Sequence, residues 1–312
     1  MFGRKIFLIL LVSFVVIALF ITSPTSGFAK GPKHVVMPNW GWSADFLAIY
    51  ITKVLLEGEL GYTLEAVELS DAASCVATGT GEVQLNMFLW FPNSEPAMKK
   101  YLDAGTAVNL GVLYGDLQEG EFVSKWVSEK YGIKSLYDLD NPEYAKLFDD
   151  DGDGFGDLYG CDPGWMCAKI NDKLLAGYGL DKLYKQVVGS MHLLKAATIG
   201  RLLSHKPVLM HNFYPNDIFI DYPMEEHFVF LEDPLEFYKR SYVPKLANKK
   251  WVDANPKAAE LVRQMKITPE DVMWAMRKIR KLGDDPKALE DLAREWIKEH
   301  QSTVDSWLKA IK

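Results

Sequence analysis

The sequence has few of the residue clusters that mark an enzyme or a metal protein. Its 312 residues include three cysteines and six histidines, and the histidines form no pair with the spacing of metal ligands. It contains no Walker loop, no dinucleotide-binding glycine motif and no nucleophile elbow. We therefore expect a protein that is not an enzyme and that requires no cofactor.

Excess positive charge is also absent, because 35 Lys and Arg residues stand against 42 Asp and Glu residues, for a net charge of -7. An acidic protein is repelled by phosphate backbones and anionic headgroups, so we expect no nucleic-acid partner. The chain is 48% hydrophobic and 25% charged, which is typical of a folded globular protein. At this length two lobes are more probable than one continuous core.

Only the N-terminus carries a long apolar run. Arg4 and Lys5 precede the apolar residues 6–21, and residues 22–29 are mostly small or polar. This pattern predicts a secretory signal peptide over residues 1–29 and a mature protein in a periplasm. The alternative is an uncleaved leader that anchors the protein, because the run is only slightly shorter than a bilayer span.

Two of the cysteines are spaced for a disulfide. Cys161 and Cys167 are six positions apart, with Pro163 and Gly164 between them, so a turn can bring the two sulfurs together. An exported protein folds in an oxidising compartment where such a bond persists. We predict a Cys161–Cys167 disulfide and expect Cys75 to be buried as a small hydrophobe.

Strand and helix patterns alternate along the first three quarters of the chain, which is typical of an α/β fold. Predicted strands lie at residues 34–37, 62–69, 83–90, 112–114, 207–211 and 228–231. Predicted helices lie at residues 43–57, 71–78, 174–178 and 193–203. The last quarter is helical, with a capped helix start at residues 268–271, and we expect these helices to pack back onto an earlier lobe.

Aromatic residues cluster beside Gly, Pro and Asn where predicted strands end, and strand ends form the clefts of α/β sheets. They are Trp40, Trp42, Trp90, Phe91, Trp165, Phe213 and Tyr214. An aromatic face attracts a cation, and a methylated ammonium has no N–H to donate, so a box of rings suits it. The alternative is that the rings fill the core, which is the commoner role of a single tryptophan.

An acidic turn offers a possible calcium site. Asp149, Asp151, Asp153 and Asp157 fall at positions 1, 3, 5 and 9 of an EF-hand-like loop, but Gly160 replaces the final glutamate. A solvated Asp/Gly turn is the alternative, and neither interpretation implies catalysis.

One stretch resembles a known family. Residues 147–167, LFDDDGDGFGDLYGCDPGWMC, are similar to the hallmark of glycine betaine/proline betaine-binding proteins of ABC importers, with weaker similarity over most of the mature chain. The resemblance implies a two-lobed α/β fold of the periplasmic-binding-protein type II, with ligand in the inter-lobe cleft. It also implies a monomer that binds glycine betaine or a related quaternary-ammonium osmolyte and delivers it to a membrane permease.

The resemblance assigns an aromatic cage for the trimethylammonium group. Trp90 and Trp165 match two tryptophans of the family's cage, and Phe213 stands where a third is expected. A phenyl ring is a weaker cation–π partner than an indole, so we expect Trp42 or Tyr214 to help complete the box.

The residues that hold the ligand carboxylate depart from the family pattern. Ser94 stands where a histidine is often found, and Met166 replaces a glycine. The backbone amides of Met166 and Cys167 remain available to bind an anion.

The lobes are expected to comprise residues 34–115 with 225–312, and residues 116–224. Three alternatives stay open: a receptor for choline, an amino acid or a sulfonium compound; a calcium-dependent extracellular enzyme; and an anchored osmosensor domain.

Overall fold

The computed structural model describes residues 33–312, and the predicted signal peptide lies outside the described residues. Within residues 33–312, no helix is both long enough and apolar enough to cross a membrane. The strands are β1 (His34–Asn39), β2 (Thr63–Glu68), β3 (Leu85–Asn86), β4 (Ala107–Ser124), β5 (Gly156–Tyr159), β6 (Tyr184–Val187), β7 (Leu209–Tyr214), β8 (Phe228–Phe230) and β9 (Ser241–Asn248).

Helices connect and flank these strands. They are α1 (Ser43–Leu60), α2 (Asp71–Thr80), α3 (Glu95–Asp103), α4 (Lys125–Tyr131), α5 (Pro142–Phe148), α6 (Met166–Gly177), α7 (Met191–Leu203), α8 (Ile218–Asp221), α9 (Met224–His227), α10 (Lys249–Ala254), α11 (Pro256–Gln264), α12 (Pro269–Leu282), α13 (Pro286–Glu299) and α14 (Gln301–Lys309). The mixed α/β class predicted from the sequence is confirmed.

The strands form two sheets. β1 and β2 pair in parallel, and the other strands follow the order β3-β9-β4-β7-β5-β6, with β8 also beside β4. The first part of β4 pairs with β9, where Val108 lies opposite Ala247. The last part pairs with β7 and β8, where Phe122 lies opposite Met210 and Phe230. One long strand therefore passes through both halves of the molecule.

The described chain forms two lobes that share β4. The first contains β1–β3, β9, α1–α3 and α10–α14, and the second contains β5–β8 and α4–α9. In the structure, Leu231 and Tyr238 are buried in the core of the second lobe. The predicted lobe boundaries, after residues 115 and 224, stay a prediction.

The C-terminal helices pack on the first lobe, as the sequence predicts. Thr268 caps α12: its hydroxyl accepts from the Asp271 N–H at 3.1 Å, and the Asp271 carboxylate accepts from the Thr268 N–H at 2.7 Å. Helices α12 and α13 both contact α1, and Trp296 of α13 is buried in the shared core.

Candidate ligand-binding site

The cleft contains a cavity lined mainly by aromatic side chains. Its empty volume, including the open mouth, is about 370 Å³. The lining residues are Trp40, Trp42, Asp71, Trp90, Asn93, Ser94, Glu119, Trp165, Met166, Cys167 and Phe213.

The turn between β1 and α1 supplies two of the rings. Gly41 has a φ of 72°, a left-handed conformation that favours glycine, and its N–H donates to the Asn39 carboxamide at 2.7 Å. The Trp40 N–H donates to the Asp45 carboxylate at 2.9 Å. This bonding holds Trp40 and the following Trp42 at the end of β1, where both line the cavity.

The other three rings also lie where strands or turns end. Trp90 follows β3 and is 6% exposed, and Phe213 lies near the end of β7. Trp165 precedes the first residue of α6, and its N–H donates to the Asp162 carbonyl at 2.9 Å. The first and second lobes therefore both contribute rings to one cavity.

The five rings contact one another across the cleft. Trp40 stacks on Trp165 with centroids 5.1 Å apart, and Phe213 meets Trp42 and Trp90 edge-on at 5.1 Å each. Trp165 and Phe213 lie 6.1 Å apart. Because an aromatic face attracts a cation, five rings around one cavity are suited to binding a cationic group.

The predicted disulfide is present and braces Trp165. Cys161 and Cys167 are joined, with their Cα atoms 6.1 Å apart, and both side chains are buried. The bond closes the turn that carries Trp165, so the ring needs little further ordering when a ligand binds. Cys75 is buried, as predicted.

The cavity also contains groups that can bind a ligand's polar end. Met166 and Cys167 form the first turn of α6, whose backbone N–H groups lack partners within the helix and carry partial positive charge. Ser94, the residue that precedes α3, also lines the cavity. The structure thus brings together seven of the eight predicted site residues.

Tyr214 is the exception. It is not among the residues that line the cavity, and its ring lies 6.5 Å from that of Phe219. Successive side chains of a strand point to opposite faces, so when Phe213 faces the cavity its neighbour faces away.

Of the four further lining residues, Trp40 belongs to the predicted cluster of strand-end rings but was not assigned to the cage, and Asp71, Asn93 and Glu119 were not predicted. Trp40 and Asn93 could have been found from the sequence, because they lie in the same turns as the predicted site residues Trp42 and Ser94. Asp71 is the first residue of α2 and lies shortly after the end of β2. It was missed because only aromatic residues were considered at strand ends. Glu119 lies inside an 18-residue strand that the sequence did not reveal.

Asp71 is nearly fully buried at the cavity. The Ser94 hydroxyl donates to its Oδ2 atom at 3.0 Å. The pKa of Asp71 is raised to about 7, because burial and the negative charge of Glu119 together outweigh the opposing effects of the Ser94 hydroxyl and the Trp40 indole. The carboxyl group can therefore change charge near neutral pH.

Glu119 belongs to a buried charge cluster that extends from the cavity into the second lobe. Its Oε2 atom accepts from the Asn93 amide at 2.6 Å. The His211 ring lies between two carboxylates, with Nε2 3.6 Å from Glu119 and Nδ1 3.3 Å from Glu121. Burial alone would lower the pKa of His211, but the two carboxylates overcome it and raise the pKa to about 9.

The acidic turn lies in the second lobe. One carboxylate oxygen from each of Asp149, Asp151 and Asp153 lies within 4.8 Å of the others. Asp149 and Asp151 accept backbone N–H groups of the turn, and Asp153 pairs with Lys185 at 2.5 Å. The Asp157 carboxylate instead accepts from the backbone of Asp150. Calcium binding here stays a prediction.

A two-lobed α/β fold with a cage of rings in its cleft defines a solute receptor of the periplasmic-binding-protein class. Residues 33–299 match the family described as the substrate binding domain of ABC-type glycine betaine transport systems, and the chain belongs to that family.

Curated relatives agree with this assignment, and solved structures agree with the fold. The chain is 27% identical over 290 residues to the glycine betaine-binding periplasmic protein OusX of Dickeya dadantii, covering 86% of each chain. The fold matches lactococcal OpuAC complexed with glycine betaine at a TM-score of 0.73, with 21% identity and coverage of 88% of this chain and 99% of the other. It matches an ABC-transporter choline binding protein in complex with choline at 0.76, with 16% identity and coverage of 89% and 92%.

Proposed function

We propose that this protein binds a quaternary ammonium compound, such as glycine betaine or choline, in the cleft and delivers it to an ABC permease. The observation that carries the proposal is the meeting of five aromatic rings from both lobes at one cavity. A methylated ammonium group cannot donate hydrogen bonds, so the ring faces supply its attraction.

The two lobes bind different parts of the ligand. The rings hold the cation, and the amides that begin α6 hold a carboxylate or other polar group at the positive end of that helix. Binding at a surface shared by both lobes favours the closed arrangement, because only there does the ligand contact all the rings. The closed form is the one that the permease recognises.

The protein acts as a periplasmic monomer and has no catalytic role. Periplasmic location is supported by the curated relative and by the disulfide. A receptor for an amino acid or a sulfonium compound is the nearest alternative, since it would use the same fold with a different polar end.

Tryptophan fluorescence of the mature protein, titrated with glycine betaine, choline and proline, tests the proposal. We expect a saturable change with at least one of the two quaternary ammonium compounds and none with proline, which has no methylated nitrogen. A response to proline alone, or to none of the three, would contradict the proposed ligand class and leave the receptor fold intact.

A further inference from the structure

The cavity also has an acidic side, apart from the amides that begin α6. Asp71 and Glu119 are the charged side chains among the lining residues, and no lysine, arginine or histidine lines the cavity in the described chain. His211, the cation nearest to Glu119, lies behind it and is itself shared with Glu121. A ligand carboxylate placed in this cavity would meet two carboxylates at short range in a medium of low dielectric constant.

Asp71 also has an unused acceptor. It is 4% exposed, and although Ser94 donates to Oδ2, its Oδ1 atom has no hydrogen-bond partner among the described residues. The indole Nε1 of Trp40 is likewise buried without a partner. It lies close enough to lower the pKa of Asp71 but does not reach hydrogen-bond geometry.

A buried acceptor and a buried donor without well-formed hydrogen bonds are costly unless they close on each other or a ligand satisfies both. A hydroxyl group can do so, since its O–H donates to Asp71 and its lone pair accepts from Trp40. A carboxylate has only lone pairs, so it would leave Oδ1 unsatisfied and would be repelled by it.

Given the proposed function, we propose that Asp71 is the specificity-determining residue of this site and selects a quaternary ammonium alcohol over a quaternary ammonium carboxylate. The alcohol carries a net positive charge, which the acidic cavity stabilises, whereas the carboxylate compound is a zwitterion. The rings recognise the ammonium group common to both.

The preference depends on the charge of Asp71. Charged Asp71 accepts a hydrogen bond from a hydroxyl and repels a carboxylate. Protonated Asp71 can instead donate a hydrogen bond to a carboxylate and no longer repels it. The preference for the alcohol therefore rises with pH through neutrality. The charge of Glu119 on β4 raises the pKa of Asp71, and the charge of Asp71 in turn raises the pKa of Asp45 on α1 and of Cys75 on α2. Burial raises the pKa of Asp45 to about 7 as well, so a variant must identify which of the two titrates.

Dissociation constants for choline, glycine betaine and tetramethylammonium, measured by calorimetry at pH 5.5 and pH 8, test the inference. A hydrogen bond to a charged group contributes about 10-fold or more in affinity. We expect choline to bind about 10-fold more tightly than glycine betaine at pH 8, with a smaller ratio at pH 5.5. Asp71→Asn is expected to lower the ratio at pH 8 about 10-fold and to abolish its pH dependence, although Asp45 still titrates.

Two further variants complete the test. Glu82→Gln removes an exposed carboxylate outside the cavity and is expected to leave the ratio unchanged. Asp71→Ser is a second replacement that removes the charge, in case Asp71→Asn fails to fold. An unchanged ratio of choline to glycine betaine affinity in folded Asp71 variants would overturn the inference. Failure of the wild-type protein to bind any of the three ligands would instead overturn the proposed function.

Discussion

Replacing Trp165 with alanine is expected to weaken binding of a quaternary ammonium compound about 100-fold. The variant removes the ring that stacks on Trp40 and faces Phe213, and so opens the cage on the second-lobe side. Loss of a desolvated cation–π contact and of the anchor at the centre of the cleft costs about 3 kcal/mol. That free energy corresponds to roughly 100-fold in the dissociation constant, which calorimetric titration measures.

The matched control is Trp274→Ala. Trp274 is half-buried on α12, outside the cavity, where the Lys278 ammonium group lies 4.7 Å from its ring centroid. We expect this variant to bind ligand as tightly as the wild type, and Trp165→Phe to recover part of the lost affinity. Equal losses in the two alanine variants would contradict the assignment of Trp165 to the cage.

Replacing His211 with glutamine is expected to destabilise the protein by about 3 kcal/mol at pH 6, because Glu119 and Glu121 then lose their buried counter-charge. The pKa of this histidine is raised from 6.5 to about 9 on folding. Its stabilising contribution is therefore fully present below pH 6.5 and is lost as the pH rises through 9. The difference between variant and wild type should shrink towards pH 10.

Urea denaturation at pH 6 and at pH 10 measures this difference. His192→Gln changes an exposed histidine and is expected to alter the free energy of unfolding by less than about 0.5 kcal/mol. A loss of stability in His211→Gln that is the same at both pH values would show that the histidine is not held in its charged form.

Much of the fold could be predicted from sequence because the signals were local. The predicted helix at residues 71–78 forms as α2, with Ser70 as its cap, and the disulfide turn forms as its spacing predicts. The predicted strand at residues 83–90 contracts to β3, because the chain leaves the sheet to bring Trp90 to the cavity. Element type was thus easier to predict than element length.

The acidic part of the site could not be predicted, because it depends on contacts between distant segments rather than on local signals. Residues 115–121 contain two glycines and three acids, so they do not resemble a strand, yet they continue β4 through both lobes. Glu119 and His211 are brought together by strand pairing between distant segments. No local pattern marks such a contact, whereas Gly, Pro and Trp mark the turns that carry the cage.

The most direct test of the cage is calorimetric comparison of each ligand with the isostere in which carbon replaces the ammonium nitrogen and the positive charge is removed. The pairs are choline with 3,3-dimethylbutanol and glycine betaine with 3,3-dimethylbutanoate. If the rings hold a cation, the isostere of the bound ligand should bind at least about 10-fold more weakly, since shape and apolar area are kept and the attraction of the site for the positive charge is lost. Equal affinity within such a pair would show that the cavity recognises apolar shape alone and would contradict a cation cage.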